Sequence, residues 1–279
     1  MSKERKTTVA HLSGPYKVQV LDRAVALLEI LSLSPSEMSL GELTTAVGLH
    51  KSTVHRLLMV LEAHRLVEKS PVNGHYRLGL KLFELGGASI SRLNLHERIR
   101  PQLEWLTHQT GESVYLGLFD RGEVLCLDFT EPPRSQSILR PLGSRFSAHC
   151  TAAGKAVLSH FPDEVISRIL RRHGMAPATP NSIRTEAEFL AEVALTRQRG
   201  YALSDEEFVE GLRSIALPFR LADANSPAAI AVVGPASRFT DEKRLLALEA
   251  LRTVVEEASR LQVSNKTAAS PNGSGRKVD

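Results

Sequence analysis

The chain has 279 residues, of which 42% are hydrophobic and 24% are charged, close to the averages of soluble globular proteins. This length is enough for two domains that each bury a core. Because no window approaches the ~18 consecutive apolar residues of a membrane span, and the first thirty residues lack the apolar segment of a secretory signal, we expect a cytoplasmic protein with no membrane partner.

The basic excess is confined to the N-terminal third of the chain. Residues 1–93 hold 12 Lys and Arg against 8 Asp and Glu, a net charge of +4, whereas residues 94–279 hold 23 of each. An anionic partner for the N-terminal third is therefore expected. The two cysteines, Cys126 and Cys150, have no Cys or His nearby at metal-finger spacing, so we expect reduced thiols, no metal and no cofactor.

The N-terminal elements are predicted from helical spacing and from caps. Residues 1–16 are polar and predict a disordered arm. Apolar residues recur at helical spacing from Val18 to Leu33 and predict a first helix. Ser39-Leu40-Gly41-Glu42 is a capping box that starts a short second helix, which Gly48 can end in the left-handed conformation. A third helix is expected from about His50 to His64.

Two short helices joined by a glycine turn make a helix-turn-helix. In this motif the second helix enters the DNA major groove, with its N-terminal residues directed to the base edges. An isolated helix with a solvated face would explain the same polar residues, but the capping box, the glycine turn and the hairpin that follows favour DNA. We predict DNA contacts from Lys51, Ser52, Thr53, His55 and Arg56.

A hairpin and a further helix follow the helix-turn-helix. Two strand-like runs flank Pro71-Val72-Asn73-Gly74, and Asn-Gly is the strongest short hairpin signal. A hairpin in this position is a wing, so we predict a winged helix-turn-helix domain over residues 17–80. Asn73 and His75 are candidate DNA contacts, although an ordinary hairpin turn explains either residue equally well. Helical spacing then predicts a linker helix over residues 81–93.

Residues 94–263 mix helices and strands, which predicts an α+β domain with a mainly antiparallel sheet. The predicted elements are a helix over 95–110, the strands SVYLGLFD and EVLCLDF, helices from Thr151, over 163–173 and over 185–199, the strands YALSD, SIALPFR and PAAIAVVG, and a helix from about Thr240 to Arg260. The polar residues 264–279 predict a disordered tail.

Three segments carry weak signals of chemistry, and we expect no catalytic residue. AAGKA, residues 152–156, lacks the first glycine of a phosphate loop, since His149 stands there, and no Ser or Thr follows the lysine. Cys150 beside His149 suggests a nucleophile next to a base, but sequence neighbours in an extended segment point in opposite directions, which favours a buried structural cysteine. SDEEFVEG, from Ser204, gathers four carboxylates, but a solvated turn or a small-ligand contact fits them better than a metal.

Taken in order, these segments resemble the IclR family of bacterial transcriptional regulators over about residues 17–262. The similar blocks are LDRAVALLEIL, SLGELTTAVGLHKSTVHRLLMVLE, YRLGLKLFELG, RFSAHCTAAGKAVLS, RGYALSDEEFVEGLRSIALPF and AIAVVGPASRFT. The resemblance implies a winged-helix domain joined by a helix to a GAF-like effector domain that binds a small metabolite, often an organic or aromatic acid. It also implies a homodimer or tetramer on a palindromic operator of double-stranded DNA.

The resemblance assigns site residues one by one. Ser52, Thr53 and Arg56 fall on recognition-helix positions of the family pattern. The family lines its effector pocket with the segment before Gly154, the turn after Ser204, one position of the following strand and the late strand over 229–233. The effector contacts that this implies are Cys150, Thr151, Ala152, Asp205, Glu206, Ser214, Ala231 and Val233.

The chain departs from the family pattern at several of these positions. A cysteine often stands where this chain has Ser214, and serines often stand where it has Ala231 and Val233. Losing hydroxyls while keeping alkyl groups favours an effector with an apolar body, an aromatic or branched acid, over a two- or three-carbon keto acid. Arg65 stands where the family usually has a helix-ending glycine, so we expect a slightly different helix end, with Arg65 turned toward a phosphate.

The sequence thus predicts a DNA-binding transcriptional regulator, repressor or activator, that is controlled by a small organic acid of a catabolic pathway. Two alternatives stay open. One is an enzyme in the C-terminal domain that uses Cys150 as its nucleophile, and the other is a regulator whose second domain only assembles oligomers.

Overall fold

The computed structural model describes residues 18–91, 96–133, 142–220 and 227–268. The chain divides into two compact units on either side of the Ile90–Ser91 bond. The predicted arm, residues 1–16, and residues 269–279 of the predicted tail lie outside the described residues.

The first unit is a winged helix-turn-helix. Its elements are α1 (Gln19–Leu33), α2 (Leu40–Val47), α3 (Lys51–Ala63), β1 (Val67–Lys69), β2 (Tyr76–Leu78) and α4 (Lys81–Ser91). Leu27, Leu43 and Leu58, one from each of the first three helices, are completely buried in one apolar cluster. The apolar positions that recur at helical spacing in the sequence therefore form the core of this unit.

Local signals in the sequence set both ends of α2. The Ser39 hydroxyl accepts a hydrogen bond from the backbone N–H of Glu42 at 3.3 Å, and the Glu42 carboxylate accepts one from the N–H of Ser39 at 2.7 Å. These bonds lower the pKa of Glu42. Gly48 ends the helix with a φ of 70°. The predicted capping box and glycine turn are confirmed.

The end of α3 keeps the backbone of a glycine-terminated helix. Arg65 has a φ of 59°, in the left-handed region that glycine usually occupies. Its N–H donates to the carbonyl of Glu62 at 2.8 Å, and the N–H of Leu66 donates to the carbonyl of Leu61 at 2.9 Å. This pair of bonds is the Schellman motif. The expected difference in the helix end is therefore wrong, because the arginine adopts the glycine conformation.

The linker helix expected over residues 81–93 begins as predicted. α4 runs from Lys81 to Ser91 and continues through Gly86 and Gly87 without interruption. Residues 92 and 93 lie outside the described residues.

The second unit is an α+β domain built on an antiparallel sheet, as predicted. Its elements are α5 (His96–Thr110), β3 (Ser113–Asp120), β4 (Glu123–Thr130), β5 (Arg145–Ser147), a 3₁₀ turn (Ala148–Cys150), α6 (Ala152–Leu158), α7 (Asp163–His173), α8 (Glu186–Arg199), β6 (Ala202–Asp205), β7 (Leu212–Arg220), β8 (Pro227–Pro235) and α9 (Asp241–Ala268). The strands lie in the order β5-β4-β3-β8-β7-β6, and all neighbouring pairs are antiparallel.

Each face of this sheet carries its own apolar core, because side chains alternate along every strand. Ile215 and Val232 pack with α5 and α9 on one face. Their strand neighbours Ala216 and Ala231 pack with α6 on the other face. The domain therefore has three layers, with the sheet in the middle.

The last helix is longer than the sequence pattern predicts. α9 extends to Ala268, whereas the apolar periodicity predicts an end at about Arg260. The prediction of disorder is thus wrong for residues 264–268, since a helix backbone can continue through polar residues once a packed segment has nucleated it. Within the described ranges, none of the helices combines the length and the apolar character of a membrane span.

Candidate DNA-binding surface and ligand cavity

The candidate DNA-binding surface is the exposed face of α3. Lys51, Ser52, His55 and Arg56 are exposed, and Thr53 is half-buried. The side chains of Lys51, His55 and Arg56 form no hydrogen bond or ion pair with any residue that the structure describes. Their donors are therefore free for an anionic partner. Arg65 is exposed at the other end of this helix.

The wing is fastened to the loop between α1 and α2. The Asn73 amide donates to the carboxylate of Glu37 at 3.1 Å, and Arg77 pairs with the same carboxylate at 3.3 Å. A backbone bridge between Met38 and Tyr76 adds to this attachment. Asn73 also accepts a hydrogen bond from the N–H of His75 at 2.9 Å, which shapes the turn. The Asn73 side chain thus has a structural role, and His75 lies half-buried beside it.

The second unit contains a small cavity that is partly open to solvent. Three aromatic rings form a continuous wall: Tyr115 meets Phe146 edge-on at 5.6 Å, and Phe146 meets Phe208 at 5.5 Å between ring centres. Sequence reasoning missed these three residues, because an aromatic residue in a strand or turn is typical of any core. Val209, Leu212 and Val233 add aliphatic surface.

Four hydroxyl-bearing residues and Arg213 supply the polar part of the cavity. Thr151, Ser204 and Ser214 line it together with the hydroxyl-bearing Tyr115. Of the predicted effector residues, Thr151, Ser214 and Val233 therefore border the cavity. Cys150, Ala152 and Ala231 are buried close to these residues in the fold but do not line it.

The two carboxylates predicted as effector contacts are engaged elsewhere. Ser204 and Ser214 are paired across β6 and β7, and the next pair along these strands is Asp205 and Arg213. The Asp205 carboxylate is 2.6 Å from Nε of Arg213. Glu206 has a φ of 58°, and its carboxylate accepts a hydrogen bond from the N–H of Gly211 at 2.8 Å. Neither carboxylate lines the cavity.

The third carboxylate of this turn is part of a buried ion pair. Glu207 lies 2.6 Å from Nζ of Lys155, whose side chain is only 2% exposed. The same ammonium donates to the carbonyl of Leu203 at 2.9 Å. Burial raises the pKa of Glu207, and the ammonium opposes that rise. The pair joins the turn that carries Phe208 to α6.

The Gly-Lys pair of AAGKA has a structural explanation. A Cβ at Gly154 would lie 2.1 Å from the carbonyl oxygen of Ala148, so glycine allows α6 to approach the preceding turn. Lys155 is engaged with Glu207. The rejection of a phosphate loop thus agrees with the contacts of both residues.

Cys150 has the burial that is typical of an unreactive thiol. It is completely buried, and burial raises its pKa. Burial also lowers the pKa of the neighbouring His149. In the part of the chain that the structure describes, no three His, Cys, Asp or Glu residues are grouped as metal ligands would be.

Comparison with protein families assigns both units. Residues 20–71 match the model of the IclR helix-turn-helix domain, and residues 87–260 match that of the bacterial transcriptional regulator IclR C-terminal domain. The transcriptional repressor IclR of Escherichia coli (strain K12) is 31% identical over 241 residues, which cover 86% of this chain and 88% of the relative.

Solved structures share the fold. The crystal structure of IclR from Thermotoga maritima matches with a TM-score of 0.72 and 27% identity, over 88% of this chain and 99% of that one. A double mutant of the inducer-binding domain of the transcription factor PobR from Acinetobacter, in complex with 3-hydroxybenzoic acid, matches with a TM-score of 0.54 and 28% identity, over 60% of this chain and 97% of that one.

Proposed function

The chain belongs to the IclR family of DNA-binding bacterial transcriptional regulators, and we propose that it binds a palindromic operator under the control of a small organic acid of a catabolic pathway. The observation that carries this proposal is the combination of two features. One is a recognition helix with unpaired, exposed basic side chains, and the other is a cavity with an aromatic wall in the second unit.

Operator binding rests on α3 in the major groove. Lys51, Ser52 and Thr53 lie in its first turn, which is directed to the base edges in this type of motif. Arg56, one turn further, is suited to phosphate or to guanine. Arg65 at the helix end, and His75 with Asn73 in the wing, reach the flanking backbone. Asn73 contributes mainly by fixing the wing.

A homodimer or tetramer presents two recognition helices to the two halves of the operator. Half-sites lie about one helical turn of DNA apart or a multiple of it, so only one spacing of the helices fits. An effector that binds one arrangement better than the other shifts the population between them. This is how occupation of the cavity would control DNA binding.

The cavity favours an effector with an apolar body. Tyr115, Phe146 and Phe208 offer ring faces and edges to an aromatic or branched group, and the hydroxyls bind its oxygen atoms. The PobR domain that matches this unit is in complex with an aromatic acid. A two- or three-carbon keto acid would leave most of the aromatic wall without a contact.

The change Arg56→Ala tests the DNA surface. We expect at least a tenfold loss of operator affinity, because each copy of the protein loses a contact to DNA. The slope of log K against log salt should become shallower by about 1 to 2 for two copies. The measurement is fluorescence anisotropy from low to high salt, with duplexes that the wild-type protein has selected from a random pool.

Arg252→Ala is the matched control, since it removes the same charge from an exposed position on α9. It should leave affinity and salt slope unchanged. Full affinity of Arg56→Ala across the salt series would contradict the assignment of α3 as the recognition helix.

A second measurement separates effector control from a domain that only assembles oligomers. The thermal midpoint of the full chain should rise when an aromatic or branched acid is added, because a ligand that binds only the folded state stabilises it. An unchanged thermal midpoint with every organic acid of the panel would favour a second domain that only assembles oligomers.

A further inference from the structure

Two of the four hydroxyls that line the cavity already have partners within the protein. The Thr151 hydroxyl donates to the carbonyl of Ser147 at 3.2 Å, and the Ser204 hydroxyl donates to the carbonyl of Cys150 at 3.1 Å. The hydroxyls of Tyr115 and Ser214 form no hydrogen bond with any other residue that the structure describes. These two residues are only 4% and 7% exposed.

Each hydroxyl keeps some contact with solvent, since neither is among the fully enclosed polar atoms that lack a partner in the described part of the chain. Tyr115 is held in this position by its surroundings. Its ring stands edge-on to Phe146, and its Cε2 atom approaches Gly117 so closely that a Cβ there would be 3.4 Å away. The hydroxyl is thus available to a ligand in the cavity.

Tyr115 and Ser214 project from the same face of the sheet. Tyr115 on β3 pairs with Ala231 on β8, and Ser214 on β7 pairs with Val233, two residues further along β8. Residues two apart on a strand share a face. Both residues line the cavity. The two free hydroxyls thus border one space from different strands.

Few charged residues line the cavity, so the hydroxyls are important for binding the carboxylate of an acid. Among the described residues that line it, Arg213 is the only charged one. Its Nε atom is 2.6 Å from the carboxylate of Asp205, so this guanidinium is already engaged. The hydroxyls of Tyr115 and Ser214 are the lining donors that have no partner among the described residues. Burial raises the pKa of Tyr115, so its phenol keeps the proton that it would donate.

We infer that the Tyr115 hydroxyl is the specificity-determining hydrogen-bond donor for the effector carboxylate, and that Ser214 is the second donor. This inference rests on the proposed function, and it names the residue that selects the acid. It also limits the charge of the effector. A monocarboxylate fits two neutral donors, whereas the second carboxylate of a dicarboxylate would be buried without a partner.

The test is calorimetry on the full chain with benzoate, 3-hydroxybenzoate, phthalate and the neutral benzamide. Wild-type protein should bind the two monocarboxylates more tightly than phthalate or benzamide. Tyr115→Phe should weaken benzoate binding about 10- to 100-fold, the usual effect of a hydrogen bond to a charged group. Ser214→Ala should weaken it about tenfold. Benzamide should lose much less in both variants.

Tyr201→Phe is the matched control, since it removes a phenolic hydroxyl from a tyrosine that does not line the cavity. It should bind like wild type. Thermal melting should show that Tyr115→Phe is as stable as wild type, because the hydroxyl has no partner to lose. A marked loss of stability in Tyr115→Phe would reveal a partner of its hydroxyl within the protein and would overturn the role of Tyr115. Ser214→Ala tests the second donor independently.

The outcomes distinguish the two proposals. If wild-type protein binds benzoate and Tyr115→Phe binds it equally well, the role of Tyr115 is wrong while the proposed function stands. If wild-type protein binds neither benzoate nor 3-hydroxybenzoate but responds to pyruvate or glyoxylate, the proposed effector class is wrong, and the inference fails with it.

Discussion

Two lysines in the two units of this protein show how differently the same side chain is used. Lys51, the first residue of α3, is exposed and has no partner among the described residues. Lys155, within α6, is 2% exposed and lies 2.6 Å from Glu207. A basic residue is available to an outside partner only where the fold leaves it both exposed and unpaired.

The largest effect is expected from breaking the buried pair. Glu207→Ala leaves the Lys155 ammonium in the interior with only the more distant Glu192 carboxylate, at 3.9 Å. The loss of unfolding free energy should approach the usual cost of breaking a buried pair, about 3–5 kcal/mol. Glu210→Ala, a change in the same turn at an exposed position, should cost less than about 0.5 kcal/mol. Urea denaturation of both variants measures the difference. Equal stabilities would mean that solvent reaches Lys155.

A smaller effect, of opposite sign, is expected at Arg65. Its left-handed backbone costs a non-glycine residue on the order of 1 kcal/mol, so Arg65→Gly should raise the unfolding free energy by up to about that amount. If Arg65 contacts a phosphate, the same variant should bind the operator less tightly.

Arg65→Asn is the companion variant, because asparagine tolerates this conformation and lacks the charge. It should show the loss of operator affinity without the flexibility that glycine adds to the unfolded chain. A fall in stability with Arg65→Gly would contradict the left-handed backbone, and unchanged affinity in both variants would remove Arg65 from the DNA surface.

The smallest effect is expected at the wing. Glu37→Ala removes the bonds to Asn73 and Arg77, while Arg77 keeps its pair with Glu68 at 3.0 Å. The change should cost about 0.5–1 kcal/mol because the lost bonds are exposed. If Asn73 acts by holding the wing, Asn73→Ala and Glu37→Ala should weaken operator binding equally, and the double variant should add little. A larger loss for Asn73→Ala would indicate a direct DNA contact. Anisotropy with the selected duplexes measures all three variants.

Prediction from the sequence succeeded where one element contains its own signal. The capping box of α2 joins Ser39 to Glu42, three residues apart, so the sequence pattern contains the whole interaction. Prediction from the sequence was incomplete at the cavity. Alternation along β6 predicts that Ser204 and Asp205 face opposite ways, but the direction of the cavity is decided by the layers above and below the sheet.

The helix-turn-helix with its wing, the antiparallel α+β domain and the family could be predicted from the sequence, because they follow from short periods, caps and turns. Which polar groups are free depends on the tertiary structure. Lys155 and Glu207 are 52 residues apart, and their pairing depends on how α6 meets the turn after β6. The unpaired hydroxyl of Tyr115 likewise follows from packing, since a partner can come from any element that the fold brings within reach.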